Sequence, residues 1–121
     1  MRIAAWGVIG VLLRYGTDLF VQNSLRTSFP VGTFLINTVG AFLIGLTFSL
    51  SQLRPGILTP ALRIGIMVGL LGGFTTFSSY CLDFVRLYQD NRLATAWLYL
   101  TLTPLIGVAA TFLGMKLAQG L

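Results

Sequence analysis

Leu71-Gly72-Gly73-Phe74-Thr75-Thr76-Phe77-Ser78-Ser79-Tyr80 sits inside an apolar run that extends from Leu62 to Phe84, and it changes the character of that run. Up to Leu71 the residues suit an uninterrupted apolar helix. From Gly72 onward come two glycines, then Thr75-Thr76, then Ser78-Ser79. A glycine pair weakens a helix, and hydroxyls offer backbone groups partners other than the helical ones. Within a bilayer, such a break is tolerated only where protein or a water-filled cavity surrounds it. Unwound backbone exposes carbonyls to a cation, while the helix that restarts beyond it turns N–H groups toward an anion. An intact helix whose hydroxyls bond back to its own carbonyls would use the same residues, so the stretch alone leaves both readings open.

Composition places this segment in lipid. The 121 residues are 55% hydrophobic and only 9% charged, with a mean hydropathy of +0.86. Soluble domains carry about 25% charged residues. Four apolar runs, predicted at 3–21, 31–53, 62–84 and 94–117, each approach the ~20 residues that a helix needs to cross the hydrocarbon. The polar segments between them, Gln22 to Ser28, Arg54-Pro55-Gly56 and Gln89 to Arg92, are too short for a second domain. The expected unit is therefore one all-α membrane domain over 1–121, with four transmembrane helices and the third broken near its middle. The first run follows a positive residue, as a signal peptide would. It lacks a small-residue cleavage site and precedes three similar runs, so it reads as a retained helix.

Charge narrows the class further. The net charge is +5, but the basic residues are scattered singly among apolar runs and make no face for nucleic acid. Four crossings put Arg2, Arg54, Arg63 and Lys116 on one side and Arg14, Arg26, Arg86 and Arg92 on the other. Four against four gives no preferred orientation. A chain without that bias can insert both ways, and opposed copies can then pair. The three acids, Asp18, Asp83 and Asp90, lie toward one end of the spans, and there is no histidine. The usual proton relay of a coupled transporter is missing, as is any nucleophile–base pair for hydrolysis. The lone Cys81 reads as a small packed hydrophobe. Passive conduction fits this inventory better than catalysis or pumping.

Several polar residues inside the spans are candidates for an ion path. Asn37 sits in the middle of the second run, where its amide must face protein or water and can donate to an anion or bond between helices. Tyr99, Thr103 and Gly107 recur at four-residue spacing and share one helix face. Pro104 beside them has no N–H and frees the carbonyl of Leu100. Neutral donors suit a desolvated anion, because a fixed positive charge would hold it too tightly to let it leave. Phe74, Phe77 and Tyr80 lie three apart; ring edges are weakly positive, although rings at helical spacing also serve as packing. Arg14 and Asp18 are spaced to form an ion pair. Gly65, Gly69 and the following Gly72-Gly73 form a small-residue surface, which suggests that the third helix is central.

Three blocks resemble the Fluc (CrcB) family of fluoride channels. They are Leu13-Arg14-Tyr15, Pro30-Val31-Gly32-Thr33 with Asn37 and Gly40, and the segment Gly72 to Tyr80 with Asp83. The likeness covers essentially the whole chain, although the last helix matches loosely, mainly through Tyr99. It implies a fluoride-selective channel in the bacterial inner membrane that lets fluoride leave passively and so protects cytoplasmic enzymes. It also implies an antiparallel, dual-topology homodimer with two pores. Phe77 and Tyr80 would then be pore aromatics, Asn37 a donor, and Tyr99, Thr103 and Ser78 parts of the polar track. Arg14 would attract anions in a vestibule, with the Asp18 pair as the alternative. The carbonyls of Gly72 and Thr75 from both copies would hold a structural Na⁺. Three positions depart from the family pattern: Tyr80 for the usual Phe, Asp83 for Glu, and Gly107 for a common serine. The competing reading is a small proton-coupled multidrug exporter, which needs a membrane-embedded carboxylate.

Overall fold

The computed structural model describes residues 2–24 and 29–120, with Arg2 and Gln22 as backbone only. Arg26 and much of the first polar segment lie outside the described residues. Helix α1 spans Arg2–Ser24 and α2 spans Val31–Leu53. The third span starts with Thr59, whose hydroxyl accepts from the Leu62 N–H at 3.2 Å, and with Pro60 in the first turn, where a missing N–H costs nothing. Its first half, α3, covers residues 60–74 and is wound as a π-helix over Gly65–Leu70. Its second half, α4, spans Phe77–Gln89, and α5 spans Leu93–Gly120. Asn91, with φ 58°, makes the turn between α4 and α5 in the left-handed conformation that asparagine tolerates.

Four segments are long and apolar enough to cross a membrane: Ile3–Val21, Val31–Leu53, Pro60–Gln89 and Leu93–Gly120. The first two coincide with the runs read from sequence, and the other two extend further at both ends. Large apolar side chains such as Leu12, Phe20, Val68, Leu105, Phe112 and Leu113 point outward, as they must where the solvent is lipid.

The helices pack as two pairs, α1 against α3 and α2 against α5. Lipid gives no hydrophobic drive for association, so close backbone approach has to supply the contact. Gly65, Gly69 and Gly73 share the face of α3 that meets α1. A Cβ added at Gly69 would stand 2.8 Å from the Ile3 carbonyl, and one at Gly73 would stand 2.7 Å from the Gly7 carbonyl. In the other pair, a Cβ on Gly114 would run into the Phe42 carbonyl. Thr111 adds a hydroxyl that reaches the Ala41 carbonyl at 3.1 Å and its own Gly107 carbonyl at 3.0 Å. The small-residue surface of the third span is therefore spent on α1.

The break lies between these pairs, and two threonines make it. Gly72 and Gly73 remain helical, whereas Thr75 (φ −89°, ψ 157°) and Thr76 (φ −151°, ψ 124°) are extended. Contact with α1 holds Gly73 in the helix, while Gly72 faces open space. Thr75 then closes α3, its N–H and its hydroxyl both returning to the Leu71 carbonyl at 2.9 Å. Thr76 opens α4, its hydroxyl accepting from the Ser79 N–H at 3.3 Å. The glycine pair in the sequence predicts the change at Gly72. It falls three residues later because hydroxyls that can stop and restart a helix decide the position.

Candidate ion pathway at the helix break

A cavity of about 400 Å³ opens where the break faces α2 and α5. Asn37 and Gly40 line it from α2, Gly72, Thr75, Thr76, Phe77 and Tyr80 from the broken span, and Thr103, Pro104 and Gly107 from α5. No Asp, Glu, Lys or Arg is among its lining residues.

Asn37 is the clamp of the break. Its Nδ2 donates to the Thr76 carbonyl at 3.1 Å, and its Oδ1 accepts from the Thr76 N–H at 3.0 Å. The amide thus stands in for a backbone partner and satisfies both polar groups of an extended residue within the span. Its second N–H stays available on a cavity-lining residue. The interhelical bond and a cavity-lining position occur together. Gly40 one turn later leaves room for the Thr75 methyl, into which a Cβ at that position would run.

Thr103 supplies an uncommitted donor at the cavity. It is 6% exposed, lines the cavity, and its Oγ1 has no hydrogen-bond partner among the described residues. Gly107, one turn along the same face, continues the lining without a polar group.

The aromatic residues divide into layers. Phe77, in the first turn of α4, is 76% exposed. Tyr80 is buried, with its ring centroid 5.9 Å from Phe77 and 5.2 Å from Tyr99. Its hydroxyl donates to the Leu100 carbonyl, the group that Pro104 was expected to free. Tyr99 lies behind it, fully buried and not among the cavity-lining residues, donating to Asp83 Oδ2 at 3.2 Å. The Phe29 ring meets Tyr99 edge-on at 5.3 Å. Ser78 is exposed outside the lining, 3.2 Å from the Thr76 hydroxyl.

Arg14 reaches the break from α1. Its Nε donates at 3.2 Å to the Gly73 carbonyl, which loses its helical donor where the helix stops. Asp18, its expected ion-pair partner, instead packs its carboxylate against Gly32 in the first turn of α2. Positive charge and break are therefore coupled through a backbone oxygen. The Gly72 carbonyl is freed in a different way, because the Thr76 N–H that would bond it in an intact helix is bonded to Asn37. Gly72 is exposed, with nothing within 4 Å of where its Cβ would lie. No cluster of His, Cys, Asp or Glu able to hold a metal occurs among the described residues. The donors at Gly72 and Thr75 are neutral oxygens, the type that a hard cation accepts.

Residues 1–115 match the family described as "CrcB-like protein, Camphor Resistance (CrcB)". The chain belongs to the CrcB family. Similar relatives include a "Fluoride-specific ion channel FluC" of Thermus thermophilus, 42% identical over 100% of this chain and 94% of its own length. The protein of that name from Flavobacterium psychrophilum is 37% identical over 98% and 95%, and that from Geobacter metallireducens 40% over 100% and 97%. A CrcB chain with four such helices is a multi-pass membrane protein.

Two features of this CrcB subunit were not legible beforehand. One is the Arg14–Gly73 bond, which no spacing rule indicates because 59 residues separate the partners. The other is the Tyr99–Asp83 bond at 3.2 Å, which ties the acid near the end of the third span to α5. The Tyr99 hydroxyl, buried in an apolar helix and in need of an acceptor, was the available signal.

Proposed function

We propose that this CrcB chain is a subunit of a fluoride-specific channel through which fluoride leaves the bacterial cytoplasm passively across the inner membrane. The observation that carries the proposal is the full-length likeness to relatives named fluoride-specific ion channels. The cavity chemistry agrees with it. Fluoride holds its water strongly, so a pore must replace that water with donors that do not bind permanently. The free N–H of Asn37 and the unpartnered hydroxyl of Thr103 are two such donors on facing helices. Phe77 and Tyr80 add ring edges, weakly positive and without a formal charge. Arg14 sets a positive field close to the break while its Nε stays on a backbone carbonyl, which draws anions in without trapping them. Ser78 and Tyr99 serve one layer further out, Ser78 on the Thr76 hydroxyl and Tyr99 behind Tyr80.

The working unit in this proposal is an antiparallel homodimer in lipid, with two pores. Three observations support it: the even charge count, the exposed Phe77 ring in the middle of a span, and the open face at Gly72. A second copy covering that face would complete a carbonyl shell at Gly72 and Thr75, where a structural Na⁺ would supply charge to hold the two breaks together. The exporter alternative needs a carboxylate free to exchange protons against a drug. Asp83 is the acid furthest inside a span, and it accepts a hydrogen bond from the Tyr99 hydroxyl. Expression in a fluoride-sensitive bacterium should restore growth in fluoride, and Phe77→Ile should abolish the rescue. Rescue undiminished by that substitution would remove the ring from the path. C-terminal tags should label both membrane faces; one orientation in every molecule would exclude the antiparallel homodimer.

A further inference from the structure

Helix α5 lacks one hydrogen bond at Pro104, which has no N–H to return to the Leu100 carbonyl one turn earlier. In a membrane helix such a carbonyl needs another partner, since no lipid group can supply one. Here the donor comes from a different helix, the Tyr80 hydroxyl of α4. A phenol has a single proton to give. Once given to Leu100, that proton is not offered to an ion in the cavity that Tyr80 and Pro104 both line. The tie also fixes the ring, which is otherwise bounded by Phe77 at 5.9 Å and Tyr99 at 5.2 Å.

We propose that Tyr80 is a positioning residue whose hydroxyl is tied to the carbonyl vacated by Pro104, so that its ring edge, and not its phenol proton, faces the ion path. The assignment rests on the fluoride-channel reading for its consequence and on α4–α5 geometry for its cause. The pair acts as a unit. Tyr80→Phe leaves the Leu100 carbonyl orphaned, whereas Pro104→Ala gives that carbonyl an N–H within its own helix. A Tyr80→Phe change in the Pro104→Ala background therefore orphans nothing, yet the ring is still untied.

The test is a four-protein cycle of wild type, Tyr80→Phe, Pro104→Ala and the double variant. Each is read by melting in detergent and by fluoride efflux and fluoride-over-chloride selectivity in liposomes. Tyr80→Phe should lower the folded-to-unfolded ratio about fivefold, the net worth of one hydrogen bond, and slow fluoride efflux by a similar factor. The double variant should melt like Pro104→Ala alone while its efflux stays at the Tyr80→Phe level. Equal melting losses in both backgrounds would place the hydroxyl's work elsewhere, on the ion or another group, and overturn the tie. A melting loss without any change in efflux or selectivity would make the bond merely structural and overturn the positioning role. Unchanged melting and efflux in Tyr80→Phe would overturn both. Wild-type protein that passes no fluoride would reject the functional reading and the ring's role in conduction together, while the melting cycle would still decide whether the tie exists.

Discussion

Replacing Asn37 separates two jobs that one side chain performs. Asn37→Ala removes the bonds at 3.1 Å and 3.0 Å to the Thr76 carbonyl and N–H. Both groups belong to an extended residue whose helical partners are already gone, and each costs about 1–3 kcal/mol when left unpaired. The sum is ~2–6 kcal/mol, with a floor near 1 kcal/mol if both bonds have the average worth measured between membrane helices. Asn37→Asp loses the bond to the Thr76 carbonyl and adds the electrostatic half. It keeps an acceptor for the Thr76 N–H but sets a carboxylate on the cavity wall. Repulsion between two like charges 4 Å apart at an effective dielectric near 20 is ~4 kcal/mol, which corresponds to roughly a thousandfold loss of fluoride flux. Equilibrium unfolding in mixed micelles reads the first effect, and fluoride-electrode efflux from liposomes reads the second. Asn37→Ala unfolding within about 0.5 kcal/mol of wild type, the range of an ordinary surface change, would refute the clamp. Asn37→Asp conducting at the wild-type rate would remove position 37 from the ion path.

Arg14→Met should destabilise the subunit by ~1–3 kcal/mol by orphaning the Gly73 carbonyl, and should also slow fluoride entry at low salt. An effect on entry alone, with unchanged unfolding, would reduce Arg14 to a vestibule charge. Gly114→Val should cost at least ~1–3 kcal/mol through overpacking against the Phe42 carbonyl, measured by unfolding in micelles. Gly72→Ala, with open space at its Cβ, should leave subunit folding unchanged and weaken dimerisation measured by cross-linking; intact dimers would argue against a copy packed on that face. Thr103→Val should slow fluoride efflux without loss of stability, because the hydroxyl it removes bonds no group among the described residues. A stability loss would show that the hydroxyl has a protein partner.

Sequence was most informative where lipid leaves few alternatives. Runs of about 20 apolar residues have to become spans, and the first two spans match residue for residue. Pro104 likewise announced an orphaned Leu100 carbonyl, because a missing N–H is a covalent fact. The donor that answers it could not be read, since Tyr80 lies on another helix. The break was legible as an event but misplaced. Gly72 and Gly73 look like the weak point in isolation, yet both stay helical, Gly73 packed against α1, and Thr75 and Thr76 turn the chain. Arg14 places its Nε on the Gly73 carbonyl, which the stopped helix leaves without a helical donor. The candidate site shows the same split. Asn37, Tyr80 and Thr103 were recognisable as polar or aromatic groups within spans, whereas the order in which they face the cavity came only with packing.

Neutral donors around a broken helix should pass fluoride and little else. Purified protein in liposomes loaded with equal fluoride and chloride tests this directly, each ion being followed by its own electrode after the membrane potential is clamped. Rapid fluoride loss with chloride retained is the expected outcome. Retention of both ions, or release of both at similar rates, would contradict it.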